Sequence, residues 1–344
     1  MTVNPSRRKV LKALSALPLT AFSGTATAKT SRTPIRINIP GPRSLPFLPI
    51  ELIPILGIDY NQGVQLIIRY FPSGVRALED MLAGSAQFSA QGFTVLHAFH
   101  SKGYKVQALA PLSGQVPPYG IVVRNELRKQ VKSVTDLKGR SIGVSVGNVT
   151  SKTYLQQVTE VFLITNGIKP HEVRWVPTAQ NWDGQFGALS SGSVDAVFCE
   201  EPFMSGLARH KAGFVLSDFS DPRIMAKIPG AGHLRATLTA SSEYLKLNSP
   251  YAETMVRMLS QSFEWIAKTD AAGVVNRLNL QDKDEKLELI DVLTRQRGMY
   301  PSDARFSRRQ IEATAQFMRA AGILADEAFD INTLINSQIA GVKP

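Results

Sequence analysis

The feature that most restricts the fold of this chain is a unit that occurs twice. In residues 73–94, SGVRALEDMLAGSAQFSAQGFT, Val75, Leu78 and Leu82 recur at helical spacing with Met81 beside them. Gly84 follows where a helix end wants a residue free to adopt positive φ. Ala86, Phe88 and Ala90 then alternate as a strand would, and Gln91-Gly92 ends it in a polar tip. Residues 186–203, FGALSSGSVDAVFCEEPF, repeat the order: apolar helical residues, Gly192-Ser193, a strand over 194–198, and the tip Cys199-Glu200-Glu201-Pro202. A helix–Gly-Ser–strand unit used twice predicts two similar α/β lobes. Ligands of open α/β sheets sit beyond the carboxyl ends of the strands, so the site is expected in a cleft between the lobes.

The rest of the chain fits around these units. Ile35, Ile37 and Ile39 alternate with Arg36 and Asn38 as a first strand, which runs into the stiff loop PGPRSLP at 40–46. Residues 48–56 predict a short helix despite Pro49 and Pro54, and 64–70 a second strand ending at Phe71-Pro72-Ser73-Gly74. Three strand tips of the first lobe thus carry Arg43-Ser44, Ser73-Gly74 and Gln91-Gly92. A helix at 95–99 and a strand at 106–111 precede Pro117-Pro118-Tyr119, and Ile121-Val122-Val123 starts a strand at the crossing into a second lobe. There, a capped turn at 135–139 leads to a strand at 141–146. The loop Gly147-Asn148-Val149-Thr150-Ser151 then opens a helix with Tyr154, Leu155, Val158 and Phe162 inward. A glycine-containing loop presenting free N–H groups at a helix start suits an anion. A strand at 173–176 leads to Trp182 in a polar loop, either a stacking wall for a ligand or surface packing. Residues 221–232 read as loop, and 234–239 as the strand of the return crossing. Ser249 and Pro250 suit a helix start, and the helices after them carry no chemical motif.

Residues 1–28 read as a targeting segment to be left out of the fold. Arg7-Arg8 precede an apolar run at 13–22, shorter than the roughly 20 residues that cross a bilayer. Ala26-Thr27-Ala28 offers the small residues a signal peptidase reads. The paired arginines resemble a twin-arginine export signal, an ordinary secretory signal being the alternative. No cysteine lies near Ala28, so the expected product is periplasmic, soluble and not lipid-anchored. Cys199 is the single cysteine, which excludes an intramolecular disulfide and a cysteine-rich metal site. Removing Arg7, Arg8, Lys9 and Lys12 lowers the net charge of +11 by four and leaves the chain basic. Such a charge suits an anionic small molecule or acidic lipid headgroups. With no dense Lys/Arg run, nucleic acid is not expected as a partner.

Catalytic signals are sparse. The histidines at 97, 100, 171, 210 and 233 show no metal-ligand spacing, and neither a Gly-x-Ser-x-Gly elbow nor a Walker loop is present. Cys199 is the sole candidate nucleophile, and the adjoining Glu200 and Glu201 would raise its pKa; its other reading is a small buried apolar residue. Glu200-Glu201 could hold a cation, accept hydrogen bonds from a ligand, or form a solvated turn. The residues call for no metal and no cofactor, and an enzyme is not expected.

Taken in order, Pro72-Ser73-Gly74, Ala83-Gly84-Ser85, Phe88, Gly92, the run DLKGRSIGV at 136–144, Gly147, ALSSGSVDA at 188–196 and Glu201-Pro202 resemble the periplasmic solute-binding proteins of ABC importers for alkanesulfonates, taurine, nitrate and thiamine precursors. The resemblance covers nearly all of the mature chain. It implies a type II periplasmic-binding-protein (Venus-flytrap) α/β fold in which each lobe is a mixed sheet flanked by helices. Lobe I would be 33–118 with 235–344 and lobe II 119–234, joined by two crossing strands. It also implies a monomer that closes on a small molecule and presents it to an ABC permease in the inner membrane. The family's ligand loops fall on Arg43, Ser44, Ser73, Gly74, Gln91, Gly92, Gly147, Asn148, Thr150, Trp182, Glu200 and Glu201. The tip Gln91-Gly92-Phe93-Thr94 departs from the usual small-residue and proline combination, so an atypical pocket floor is expected. The expected ligand is a small organic anion of the sulfonate or taurine kind, with Arg43 as its anchor. A heteroaromatic such as a pyrimidine precursor, held by Trp182 and Glu200-Glu201, is the alternative, and a cysteine-dependent enzyme of the same fold the third reading.

Overall fold

The computed structural model describes residues 32–145, 147, 148, 151–324 and 329–344. The expected leader at 1–28, Val146 of the expected strand and Thr150 of the expected site lie outside them. In chain order the main strands are β1 (Thr33–Pro40), β2 (Val64–Phe71), β3 (Phe88–Gly92), β4 (Val106–Pro111), β5 (Tyr119–Arg124), β6 (Ser141–Ser145), β7 (Arg174–Thr178), β8 (Ala196–Glu200), β9 (Gly213–Asp218) and β10 (Ala236–Ser241).

These strands form two five-stranded mixed sheets, ordered β2-β1-β3-β10-β4 and β7-β6-β8-β5-β9. In each sheet three parallel strands lie beside an antiparallel one, and that strand is the one the chain enters from the other lobe. β10 runs antiparallel to β3 and β4, and β5 runs antiparallel to β8 and β9. The chain therefore crosses twice, at 112–118 and 219–235, and each crossing delivers a central strand.

The repeated unit forms in both lobes. Helix Gly74–Leu82 packs its buried Val75, Ala77, Leu78 and Met81 on the first sheet and turns at Gly84, where φ is 90°. Helix Trp182–Ser190 turns likewise at Gly192, with φ of 71°. A Cβ at such angles meets the backbone, so glycine is the residue that turns there without strain.

Alternation proves a poor guide to the central strands. Ser89 and Gln91 of β3 are as buried as Phe88 and Ala90, and Arg235, Thr237 and Thr239 are as buried as Leu234 and Leu238. Helices cover both faces of these sheets, so both sides of a central strand lie in the core. Asn38, expected outside, is buried beneath helix Gly74–Leu82, where its Nδ2 donates to Ala77 O and Asp80 Oδ2. Ile35, Ile37 and Ile39 anchor the core on the other face of β1, each contributing about 1.5–3 kcal/mol by leaving water. A second apolar cluster is continuous between the lobes, from Phe93 and Phe99 through Tyr119 and Tyr154 to Phe198 and Phe219.

Other boundaries move for local reasons. Between the expected helix at 48–56 and β2, Asp59 lies in a short helix, Ile58–Asn61. The helix expected to open at Ser249 begins at Ser242, capped by Ser241, and Ser249-Pro250 follows a non-helical Asn248 within it. The stretch read as loop after Asp221 holds a short helix, Pro222–Met225. Among the described residues, no helix is long and apolar enough to cross a membrane.

Candidate functional site

The carboxyl ends of β1, β3 and β6 meet the starts of three helices between the lobes. Ser73 caps helix Gly74–Leu82 by accepting from Arg76 N, Thr153 caps Tyr154–Thr165 by accepting from Gln156 N, and Asn181 caps Trp182–Ser190 by accepting from Gly184 N. Pro40, Gly74 and Gly92 from the first lobe and Tyr119, Ser145, Tyr154 and Gln180 from the second enclose an inner chamber of about 20 Å³. That volume holds roughly one water molecule. The lobes are drawn together around it: Gln180 N donates to Pro72 O at 3.0 Å and Leu45 N to Glu201 O at 3.1 Å. Gly92 packs directly on Tyr154, and a Cβ at position 92 would collide with the tyrosine Cβ.

Glu200 stands behind Gln180 of this lining. Its Oε1 accepts from Ser44 Oγ at 2.8 Å and from Gln180 Nε2 at 2.7 Å, while Oε2 is buried without a partner. Burial pushes its pKa up to about 7, against the opposing effect of the Gln180 and Ser44 hydrogen bonds. A separate outer chamber of about 470 Å³ is lined by Arg43, Trp182, Arg209, His210, Glu285 and Glu288 among others.

The inner chamber is flanked by a group that the sequence reading missed. Arg235, fully buried at the entrance to β10, lies beside Tyr119 and Tyr154. Its Nη2 donates to Gly114 O and Val116 O, while Nε and Nη1 have no partner. Burial lowers its pKa, and arginine nevertheless stays protonated in proteins. Burial raises the pKa of both Tyr119 and Tyr154, so the phenols stay neutral. Tyr154 Oη meets His233 Nε2 at 2.9 Å, and the imidazole stacks on Phe317. Burial and the nearby Arg235 drive the His233 pKa down to about 3, leaving it neutral. The cluster therefore carries one buried positive charge. The sequence held a signal for it: an arginine inside a strand of an apolar crossing is rare unless it is paired.

The expected site residues divide among several places. Gly74 and Gly92 line the inner chamber, while Ser44 and Glu200 meet each other behind its Gln180 rather than in its lining. Arg43 and Trp182 belong to the outer chamber. Arg43 pairs with Glu285 at 2.5 Å, its side chain 59% exposed, and so stands apart from the inner chamber. Trp182, expected in a loop, is the first residue of its helix and stacks on Phe186. Ser73 serves as a helix cap, and Gln91 is held within the first sheet by Ser89 and Thr239. Glu201 is buried and accepts from Ser205 N and Oγ. Gly147 does not open the helix, which begins at Tyr154 after a bridge between Asn148 and Ser151; Asn148 reaches Glu79 of the first lobe instead. Cys199 is sealed in the second sheet, its thiol pKa raised by burial and by Glu200 and Glu201.

The geometry has close parallels among solved structures. A protein from Bordetella bronchiseptica RB50 superposes with a TM-score of 0.76 at 20% identity, over 91% of this chain and 95% of that one. The alkanesulfonate-binding protein SsuA from Xanthomonas axonopodis pv. citri, bound to MOPS, gives 0.68 at 16% identity, over 91% and 99%. The periplasmic nitrate-binding protein NrtA from Synechocystis PCC 6803 gives 0.66 at 10%, over 87% and 84%. At these identities the likeness is one of fold: two lobes, each a mixed sheet flanked by helices. Among curated proteins none matches in sequence. A family model described as NMT1/THI5 like matches residues 60–272, more than half of the chain, and the protein belongs to that family.

Proposed function

We propose that this protein is the substrate-binding component of an ABC importer, exported beyond the inner membrane, which closes on a small organic anion and delivers it to a membrane permease. Residues 33–118 with 235–344 would move as one body and 119–234 as the other. The observation that carries the ligand class is Arg235. A fully buried guanidinium with Nε and Nη1 unpartnered is costly, at about 1–3 kcal/mol per orphaned group, and an anion admitted beside it, with the one-water chamber widened by a parting of the lobes, would satisfy both. The starts of helices Gly74–Leu82 and Tyr154–Thr165 line the same chamber from opposite lobes, and helix N-termini favour negative charge. The anchor in this reading is Arg235 rather than Arg43. Sulfonate and nitrate binding by structural neighbours supports the same class. The sealed Cys199 speaks against covalent chemistry.

A thermal-shift screen of the chain from Lys29 onward tests the reading, with alkanesulfonates, taurine, aromatic sulfonates, nitrate, bicarbonate and pyrimidine precursors. A ligand at 100 times its dissociation constant adds about 2.7 kcal/mol of stability. The expected outcome is a hit among the anions that Arg235→Gln loses and Arg43→Ala keeps. An anion hit that survives in Arg235→Gln, or hits among neutral heteroaromatics alone, would overturn it.

A further inference from the structure

The outer chamber has chemistry opposite to that of the inner one. Asp183, Asp282, Glu285 and Glu288 line it against Arg43 and Arg209. Both arginines are already engaged, Arg43 with Glu285 at 2.5 Å and Arg209 Nη2 with Glu288 Oε2 at 2.6 Å. The lining therefore carries an excess of negative charge. Glu288 is the informative member. Its side chain is only 9% exposed, and while Oε2 meets Arg209, Oε1 is buried with no partner. Trp182 shares its wall. A Cβ on Gly206 would stand 2.7 Å from the Trp182 ring and 3.2 Å from Glu288 Oε1, so glycine there lets indole and carboxylate approach each other. A carboxylate oxygen without a donor, next to an indole, suits a cation bearing N–H groups on an apolar stem. The chamber's 470 Å³ lies within the range of small-molecule sites.

We propose that this outer chamber is a second binding site, for a small organic cation with N–H donors such as an alkylammonium or amidinium. The occupant donates to Glu288 Oε1 and lays its stem on Trp182. Arg43 and helix Lys283–Arg295 present one side of the chamber, and Trp182 with helix Phe203–Arg209 the other. The cation therefore touches both lobes and favours their closure. This site is separate from the anion chamber and stands whether or not the anion reading does. Burial pushes the Glu288 pKa up to about 7, with Glu201 and Glu285 adding and Arg209 opposing. His210, Asp183 and Asp282 also line the chamber. Because an ammonium favours the ionised carboxylate, amine binding weakens as pH falls through 7.

The test is a titration of the folded protein with butane-1,4-diamine and agmatine, followed by tryptophan emission. Tetramethylammonium serves as a cation without N–H donors, and sodium chloride as the ionic-strength control. The amines are expected to give a saturable change that Trp182→Phe removes, although two other tryptophans remain. Glu288→Gln should bind them about tenfold more weakly. The exposed Asp183→Asn leaves the Arg209 pair untouched and should weaken them about threefold, which covers the case in which Glu288→Gln does not fold. Absence of saturation, equal binding of tetramethylammonium, or parent-like affinity in both acidic variants would overturn the proposal.

Discussion

Ser44 and Glu200 stand 156 residues apart in the chain and on opposite lobes, yet Ser44 Oγ donates to Glu200 Oε1 at 2.8 Å. Gln180 Nε2 donates to the same oxygen at 2.7 Å, so one buried carboxyl group gathers a donor from each side of the cleft. Between the two lobes the group is fully buried from water.

That relationship makes closure sensitive to pH. Glu200 has a pKa of about 7 in the closed form, against an ordinary 4.5. The raised value means that the closed form binds the proton more tightly. Its contribution is present in full below about 4.5 and is lost as pH rises through 7. Ligand affinity is expected to fall by up to about tenfold per unit between pH 4.5 and 7 and to level off above 7. Glu200→Gln keeps the Oε1 acceptor and cannot ionise, so its calorimetric affinity should be flat between pH 5 and 7, where that of the parent falls. A parent-like slope in that variant would sink the idea.

Gly92→Ala is expected to hold the lobes apart. The new methyl group would occupy the place of Tyr154 Cβ, and the tyrosine belongs to a helix whose backbone cannot retreat while the lobes stay closed. Small-angle scattering should show a larger radius of gyration with ligand present than for the parent, and affinity should drop at least about tenfold. Parent-like compaction would contradict the packing described here.

His233 is expected to make the fold acid-sensitive. Its pKa falls from 6.5 to about 3 on folding, so its contribution is present above 6.5 and is lost as pH falls toward 3. Between pH 7 and 5 the loss should be about 2 kcal/mol, read as a lower urea midpoint. His233→Phe should flatten that dependence, at a cost of about 1 kcal/mol for the Tyr154 hydrogen bond.

Cys199→Ser is expected to leave ligand binding unchanged. The site is fully buried and apolar, so the hydroxyl should cost about 1–3 kcal/mol of stability by denaturant titration. Loss of binding in a variant that remains folded would revive the cysteine-dependent reading.

The lobed architecture was legible because it depends on local patterns. The turns at Gly84 and Gly192, the strands ahead of them and the second lobe's opening strand each follow from a few neighbouring residues. The site was legible only in part. Gly74 and Gly92 were found because strand tips followed by helix starts mark a ligand edge, whereas Gln91 and Glu201 sit at such tips and turn into the protein. Tyr119, Tyr154 and Gln180 were missed as ligand-chamber residues because their side chains meet only after both lobes have formed.

By itself the sequence determined the two α/β units, their order and the family, since helix ends, glycine turns and strand runs are decided by neighbours in the chain. Tertiary structure alone decided which charge is sealed between the lobes. Arg43 and Arg235 are equivalent as letters, but one meets Glu285 in solvent while the other is sealed beside Tyr119 and Tyr154 with two nitrogens unpartnered. Burial is a property of the assembled lobes, and it is burial that turns an ordinary arginine into a demand for an anion.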